Sequence, residues 1–306
     1  MSTTLIQPGI GIQCTNQFNP NIQPAIIKVG QPYEGLFRFG QRHAGLARDG
    51  RHAWAIDLYQ RKAKVTGKAL ACEIPFFPST DSVVRVKGQI LDSDKGMSLW
   101  IREMAPEECV GTDICALDLA TPNWVVDQSV VDSFSQIWST LANPYRELIN
   151  AVLSEPDVMH GFLRAPGSVR HHDAMAGGCI AHTIRVAKIA ICFAEIRPAL
   201  DRDMLVAGAI LHDVGKCFEY TKNGYGEWKM SHSCKRVGHK LGGAMILAAA
   251  AKRCLLISSE QLEDLQHFLT CSFAPAWAGY RYPATQEALA LSAIDRLCAG
   301  GGDVVH

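Results

Sequence analysis

The chain has 306 residues, 48% of them hydrophobic and 20% charged, with 30 basic and 30 acidic side chains in balance. That length suits two domains with cores of their own, and the composition excludes a disordered or fibrous chain. A net charge of zero supplies no overall field for polyanions, so any attraction for nucleic acid has to be local. Long apolar runs such as 244–251 fall far short of a membrane span. The first twenty residues lack a basic segment followed by an apolar core, so neither a signal peptide nor a membrane partner is expected. The 11 cysteines are odd in number, scattered and without a CxxC pair, and Cys179, Cys192 and Cys298 sit in apolar helical settings. Reduced thiols in a cytoplasm are the expectation.

Up to about residue 125, short runs punctuated by Gly and Pro predict strands at 24–29, 34–39, 53–59, 69–77, 82–91 and 98–102. The last two, joined by a turn at 92–96, read as a hairpin. Strands of this number over about 100 residues match the scale of an OB-type barrel. Thr121-Pro122-Asn123 marks a linker, dividing the chain into a β domain over 1–122 and a helical domain over 123–306. Between residues 36 and 68 the basic side chains Arg38, Arg42, Arg48, Arg51, Arg61, Lys62, Lys64 and Lys68 face only Asp49 and Asp57. Phe37, Phe39, Trp54 and Tyr59 are interleaved with them. Cations for phosphates beside aromatic platforms for bases are what single-strand binding uses, with Arg38, Arg42, Arg61, Lys62 and Lys64 as candidates. A solvated strand face whose aromatics fill the barrel is the competing reading.

Beyond residue 125 the apolar spacing turns helical, through Trp138, Leu141, Tyr145, Leu148 and Val152. A helix over 180–196 carries Arg185, Lys188 and Glu195 on a polar stripe, and His182 on the apolar face with Val186, Ile189 and Phe193. Asp201 is a plausible N-cap for the next helix, which is apolar from Met204 to Leu211 and ends at His212-Asp213, with Gly215 expected as a left-handed stop. In the last helix Asp295 shares a face with Leu291, Ile294 and Cys298. Taken singly, His182 reads as a core histidine, His212-Asp213 as a cap or ion pair, and Asp295 as the partner of an arginine. A buried carboxylate is costly unless paired or bound to a metal. Two imidazoles and two carboxylates on three apolar faces therefore point jointly to one divalent ion, of Mn, Fe, Co, Ni, Mg or Zn.

These blocks resemble the HD superfamily of metal-dependent phosphohydrolases, over roughly 145–298. Asn143-Pro-Tyr-Arg-Glu-Leu, Arg164-Ala-Pro, His171-His172, Gly177-Gly178, His182-Thr183, Leu211-His212-Asp213-Val-Gly-Lys216 and Gly238-His239 fall in family order. The set looks most like the YhaM-like 3′-to-5′ exoribonucleases, in which an OB-type domain precedes the HD domain. It is more distantly similar to the HD-like domain of conjugative relaxases. The resemblance implies a multidomain chain, an N-terminal β-rich OB-like barrel followed by an all-α HD domain, acting as a metal-dependent phosphodiesterase that trims single-stranded RNA or DNA from its 3′ end. It also admits a homo-oligomer. Asp213 is expected both as ligand and as acceptor of the attacking water's proton, and Lys216 as a cation for the phosphate. Lys216 also fits a plain helix-end cation. Arg170, His171, His172 and His239 are expected to contact substrate. One departure stands out: where the relatives carry a consecutive His pair for a second metal, this chain has Ser272 and Phe273, so one site is expected and the second is in question. His239 could supply part of it, and His267 reads as structural. Two other functions fit the same residues, a phosphohydrolase of small nucleotides and a nucleic-acid-binding or mobile-element transfer protein with a structural metal.

Overall fold

The computed structural model describes residues 30–61, 63–91, 98–169, 173–274, 279 and 281–300. The chain divides into two compact units, Met1–Cys109 with Ala116–Asn123, and Val110–Cys115 with Trp124–His306.

In the first unit, β1 (Pro32–Leu46), β2 (His52–Gln60), β3 (Ala63–Leu70), β4 (Val83–Leu91) and β5 (Ser98–Pro106) close into a barrel in the order β1-β2-β3-β5-β4. This is the OB-like barrel. Only the β3–β5 pairing that closes it is parallel. Alternation drives the assembly: along β3, Ala63, Val65, Gly67 and Ala69 face inward while Lys64, Thr66 and Lys68 face out. Phe37, Ile56, Leu58, Val84, Val86, Ile90, Leu99 and Ile101 fill the core. β1 is far longer than the expected 34–39. Its first half pairs with β4 and its second half with β2, and a register shift between Phe39 and Arg42 lets it bend around the barrel. The strand expected at 69–77 is displaced, because β3 ends at Leu70 and the chain then runs irregularly past Pro75 and Pro78, which cannot donate to a ladder. The strand expected at 24–29 lies outside the described residues.

Arg38 overturns its expected role. It is fully buried, and its guanidinium donates to the carbonyls of Leu119 at 2.7 Å and Asp81 at 2.6 Å. Burial pulls its pKa down to about 10, against the opposing pull of Asp81. It braces the barrel wall from inside and is not a surface cation for phosphate.

The second unit holds α1 (Gln128–Ser139), α2 (Asn143–Ser154), α3 (Pro156–Arg164), α4 (Gly178–Ile196), α5 (Arg202–Leu211), α6 (His232–Arg236), α7 (Gly238–Ala251), α8 (Ser259–Thr270) and α9 (Gln286–Ala299). It is not purely α-helical. Tyr220–Lys222 (β6) and Trp228–Met230 (β7) form a small hairpin, whose turn is pinned by the Asn223 side chain accepting from Tyr225 N and Glu227 N. Asp201 caps α5 by accepting from Met204 N at 2.9 Å, and every residue from Met204 to Leu211 is buried. α5 packs against α4, α8 and α9. On α4 the buried face runs through His182, Val186, Ala190 and Ala194, whereas Ile189 is exposed, contrary to the face expected for it.

Past α5 the chain tightens into a 3₁₀ turn, Val214–Phe218. Gly215 is not left-handed. Glycine is required there for a different reason: a Cβ would stand 2.0 Å from the His239 carbonyl oxygen and 2.6 Å from Gly243 N, in the backbone of α7. No helix among the described residues is long and apolar enough to cross a membrane.

The bracing role of Arg38 has a measurable consequence. Arg38→Ala strands two carbonyls and opens a cavity, so it should cost about 3 kcal/mol or more of barrel stability in urea unfolding, and Arg42→Ala less than about 1. Equal small losses would contradict the burial of Arg38.

Candidate metal centre

Local backbone geometry aims each side chain. Gly177, with φ at 81°, turns the chain into α4, and at Gly178 a Cβ would lie 2.0 Å from the Asp173 carbonyl oxygen. Asp173 in turn pairs with Arg185 across the first turns of α4. This close packing sets the N-terminal end of α4, one turn from His182, which is 1% exposed. At the end of α5, the His212 ring nitrogen Nδ1 lies 2.8 Å from the Ala209 carbonyl oxygen. A carbonyl only accepts, so Nδ1 carries a hydrogen and Nε2 is turned toward the site. Asp213 follows directly, and α9 brings Asp295 from the far end of the sequence.

The head groups converge. His182 Nε2 lies 3.0 Å from Asp295 Oδ1 and 3.8 Å from Asp213 Oδ2. His212 Nε2 lies 3.3 Å from Asp213 Oδ2 and 3.6 Å from Asp295 Oδ1. The His182, His212 and Asp213 donors all fall within 4.8 Å of one another. Around an ion with bonds of about 2.1 Å, neighbouring donors stand roughly 3.0 Å apart and opposite donors about 4.2 Å. The observed spacings lie in that interval. His212 Nε2 is buried and makes no hydrogen bond of good geometry, although two carboxylates face it. That orphaned atom, in a donor set of two nitrogens and two carboxylates, fits a divalent cation. The Asp295 side chain is 40% exposed against 8% or less for the other three, so the cluster opens to solvent on the α9 side.

The electrostatics agree with the geometry. Burial alone would depress the pKa of His212, but the Asp213 carboxylate, helped by Asp295, reverses this and pushes it up to about 10. Burial works against the charged form of Asp213, yet His212 and Lys216 hold its carboxyl well below the usual range. Asp295 is likewise held low, through His182 and His212, despite its burial. A site that binds a proton this firmly is one whose carboxylates call for a cation.

Neighbouring groups complete the wall. The Lys216 ammonium donates to Asp213 Oδ2 at 2.7 Å and to the Gly167 carbonyl at 2.8 Å, and is mostly buried. Two of its three hydrogens are thus engaged within the protein. His239 Nε2 stands 3.8 Å from Asp213 Oδ1, while its Nδ1 is 2.9 Å from Glu219 Oε1. Glu219 escaped the sequence reading: a single carboxylate after Cys-Phe has no motif spacing, and its buried contact with α7 appears only in the fold. Cys234 Sγ, 3.2 Å away, also approaches its Oε1. His267 accepts from Ala284 N at 2.9 Å, a structural use. The Ser272 hydroxyl accepts from Ala274 N, and Phe273 packs edge-on to Tyr282 and beneath the Arg296 guanidinium. Arg170, His171 and His172 lie outside the described residues.

Of the barrel candidates, Lys62 also lies outside the described residues. Phe37 and Phe39 belong to the core, as the competing reading had it. Lys64 is exposed and 2.8 Å from Asp57, Arg61 is half-buried with φ at 46°, and the Arg42 guanidinium lies over Trp54 and Phe77.

Buried His182, His212 and Asp213 and the half-buried Asp295, gathered from α4, the end of α5 and α9, form the candidate metal centre. Residues 179–300 match the HD domain family, and this part of the chain is an HD domain. Among curated proteins, the chain is similar to the 3′-5′ exoribonuclease YhaM of Shouchella clausii (strain KSM-K16), 27% identical over 240 residues, covering 78% of this chain and 73% of the relative. It is also similar to the 3′-5′ exoribonuclease YhaM of Bacillus subtilis (strain 168), 25% identical over 283 residues, covering 89% and 86% respectively. Among solved structures, it matches the second OB-fold domain of replication protein A from Methanococcus maripaludis with a TM-score of 0.22 and 12% identity, over 26% of this chain and 87% of that domain.

Metal uptake should be coupled to proton release. A ligating imidazole is neutral, and the metal-free protein holds His212 protonated up to about pH 10. Calorimetry in buffers of different ionisation enthalpy should therefore show about one proton released per Mn²⁺ at pH 7, with affinity rising roughly tenfold per pH unit toward pH 10. Binding with no proton release would count against His212 as a ligand.

Proposed function

We propose that this protein is a metal-dependent 3′-to-5′ exoribonuclease acting on single-stranded RNA. The observation that carries the reading is the convergence of His182, His212, Asp213 and Asp295 around one cation-sized space, in a chain similar over most of its length to two proteins named as such enzymes. These four residues would hold one divalent ion. Such an ion supplies Lewis acidity toward a phosphoryl oxygen and acidifies water, so that hydroxide becomes available near neutrality.

The chain's own groups do the rest. Asp213, kept ionised by Lys216, accepts the proton of the attacking water, and Lys216 acts by holding that carboxylate in place and adding positive charge behind it. His239, oriented by Glu219, directs Nε2 toward Asp213 Oδ1 and lies within reach of a phosphate oxygen. Arg170, His171 and His172 fall in the segment just before α4 and are assigned to the scissile phosphate. The water oxygen joins phosphorus, the P–O3′ bond breaks, the departing oxygen takes up a proton, and one nucleoside 5′-monophosphate leaves per cut. The OB-like barrel, through Arg42, Arg61, Lys62 and Lys64, holds the single strand by its phosphates. The ten described cysteines form no disulfide, which fits an enzyme of a reducing cytoplasm.

The test is shortening of 5′-labelled ribo- and deoxyribo-oligonucleotides with Mn²⁺. Wild type should give a one-nucleotide ladder from the 3′ end of RNA. His212→Ala and Asp295→Ala should each lower kcat by roughly a thousandfold, and Lys216→Met by roughly ten- to a hundredfold. Turnover of free nucleotides with no ladder would favour a small-nucleotide phosphohydrolase. Activity that survives His212→Ala would overturn the reading.

A further inference from the structure

A groove on the barrel wall lies between the β1 bulge and the segment 71–82 that joins β3 to β4. It encloses about 570 Å³, within the range of clefts that take small planar ligands. Gln41, Arg42 and His43 line it together with Phe76 and Phe77. We propose that this groove binds a single nucleobase of the strand, stacked on Phe76, with Arg42 on the adjoining phosphate. The proposal rests on the reading of the barrel as the strand-holding unit and assigns it a base site between β1 and the connection from β3 to β4.

Three observations carry it. Phe76 is 85% exposed, whereas the other phenylalanines among the described residues of the barrel, Phe37, Phe39 and Phe77, lie in the core or pack against it. Pro75 and Pro78 stiffen the backbone on either side of the Phe76-Phe77 pair. Within the pair, Phe77 is clamped between Trp54, edge-on at 5.6 Å, and Phe39 at 5.8 Å, which makes a rigid floor.

The second observation is Arg42. Its guanidinium carbon lies 4.4 Å from the Phe77 ring centre and 4.9 Å from that of Trp54. No carboxylate among the described residues pairs with it. Stacking consumes none of its N–H donors, so an exposed cation is held in position with its hydrogen bonds still to make. The third is the rim: His43 and Lys64 share the one carboxylate oxygen of Asp57, at 3.3 and 2.8 Å, so that carboxylate is already engaged. Exposed ring and unpaired planar cation together match a base with its phosphate, and a neutral peptide would use only the ring.

Fluorescence anisotropy of the full chain, in chelator to prevent cleavage, compares a labelled oligouridylate with an abasic ribose-phosphate chain of equal length. Phe76→Ala and Phe76→Leu should each weaken oligouridylate binding about tenfold, leaving the salt dependence and the abasic chain unaffected. Arg42→Ala should weaken both ligands and lower the salt slope by roughly 0.7. Unchanged oligouridylate binding by both Phe76 variants, alongside weakening by Lys64→Ala, overturns the groove and leaves the barrel as strand holder. Equal loss on both ligands by the Phe76 variants overturns stacking. Failure of wild type to bind either ligand overturns the strand-holding reading, and this site with it.

Discussion

The helical unit is organised around a charge placed where the chain can least tolerate it. α5 is buried on every side, and it ends on an imidazole and a carboxylate that remain buried with it. Each charge alone would destabilise the fold by several kcal/mol. The arrangement holds because the charges cancel locally: His212 faces Asp213 and Asp295, Lys216 closes on Asp213, and His182 closes on Asp295. α4 and α9 must sit where they do for that cancellation to occur. The same convergence that makes the interior tolerable also gathers candidate ligands for a cation, so folding and the proposed function share one electrostatic requirement.

The second layer of that site shows how the requirement spreads. Gly215 lets α7 press its backbone onto the turn after the His-Asp doublet, and that contact brings His239 beside Asp213. Glu219 then orients the His239 ring from the opposite side. A substitution at Gly215 would thus disturb the site through the backbone of α7, without removing any polar group.

Much of this was legible in the sequence because a polar residue inside an apolar run is conspicuous. His182, His212, Asp213 and Asp295 each break a buried helical pattern, and the structure brings them together. The barrel was legible in part: the strands expected at 34–39, 53–59, 82–91 and 98–102 overlap β1, β2, β4 and β5, whereas β3 went largely unread although its burial alternates with period 2. What failed were features whose partners are distant. Arg38 looks like a strand-surface cation, but its acceptors are carbonyls 81 and 43 residues away. Gly215 looks like a helix stop, and only the approach of α7 explains it. Glu219, the β6–β7 hairpin and the exposed Phe76 carry no periodic signal at all. Phe76-Phe77 passed as the end of a strand because apolar aromatics following Leu70 and Ile74 read that way until two prolines are weighed against them.

The central claim is that one divalent ion sits among these four side chains. X-ray absorption at the metal edge of the Mn²⁺-loaded protein tests it without reference to turnover. The account predicts a shell of nitrogen and oxygen only, with scattering from two imidazoles that falls to one in His182→Ala. A sulfur ligand, or a shell without imidazole, would contradict it.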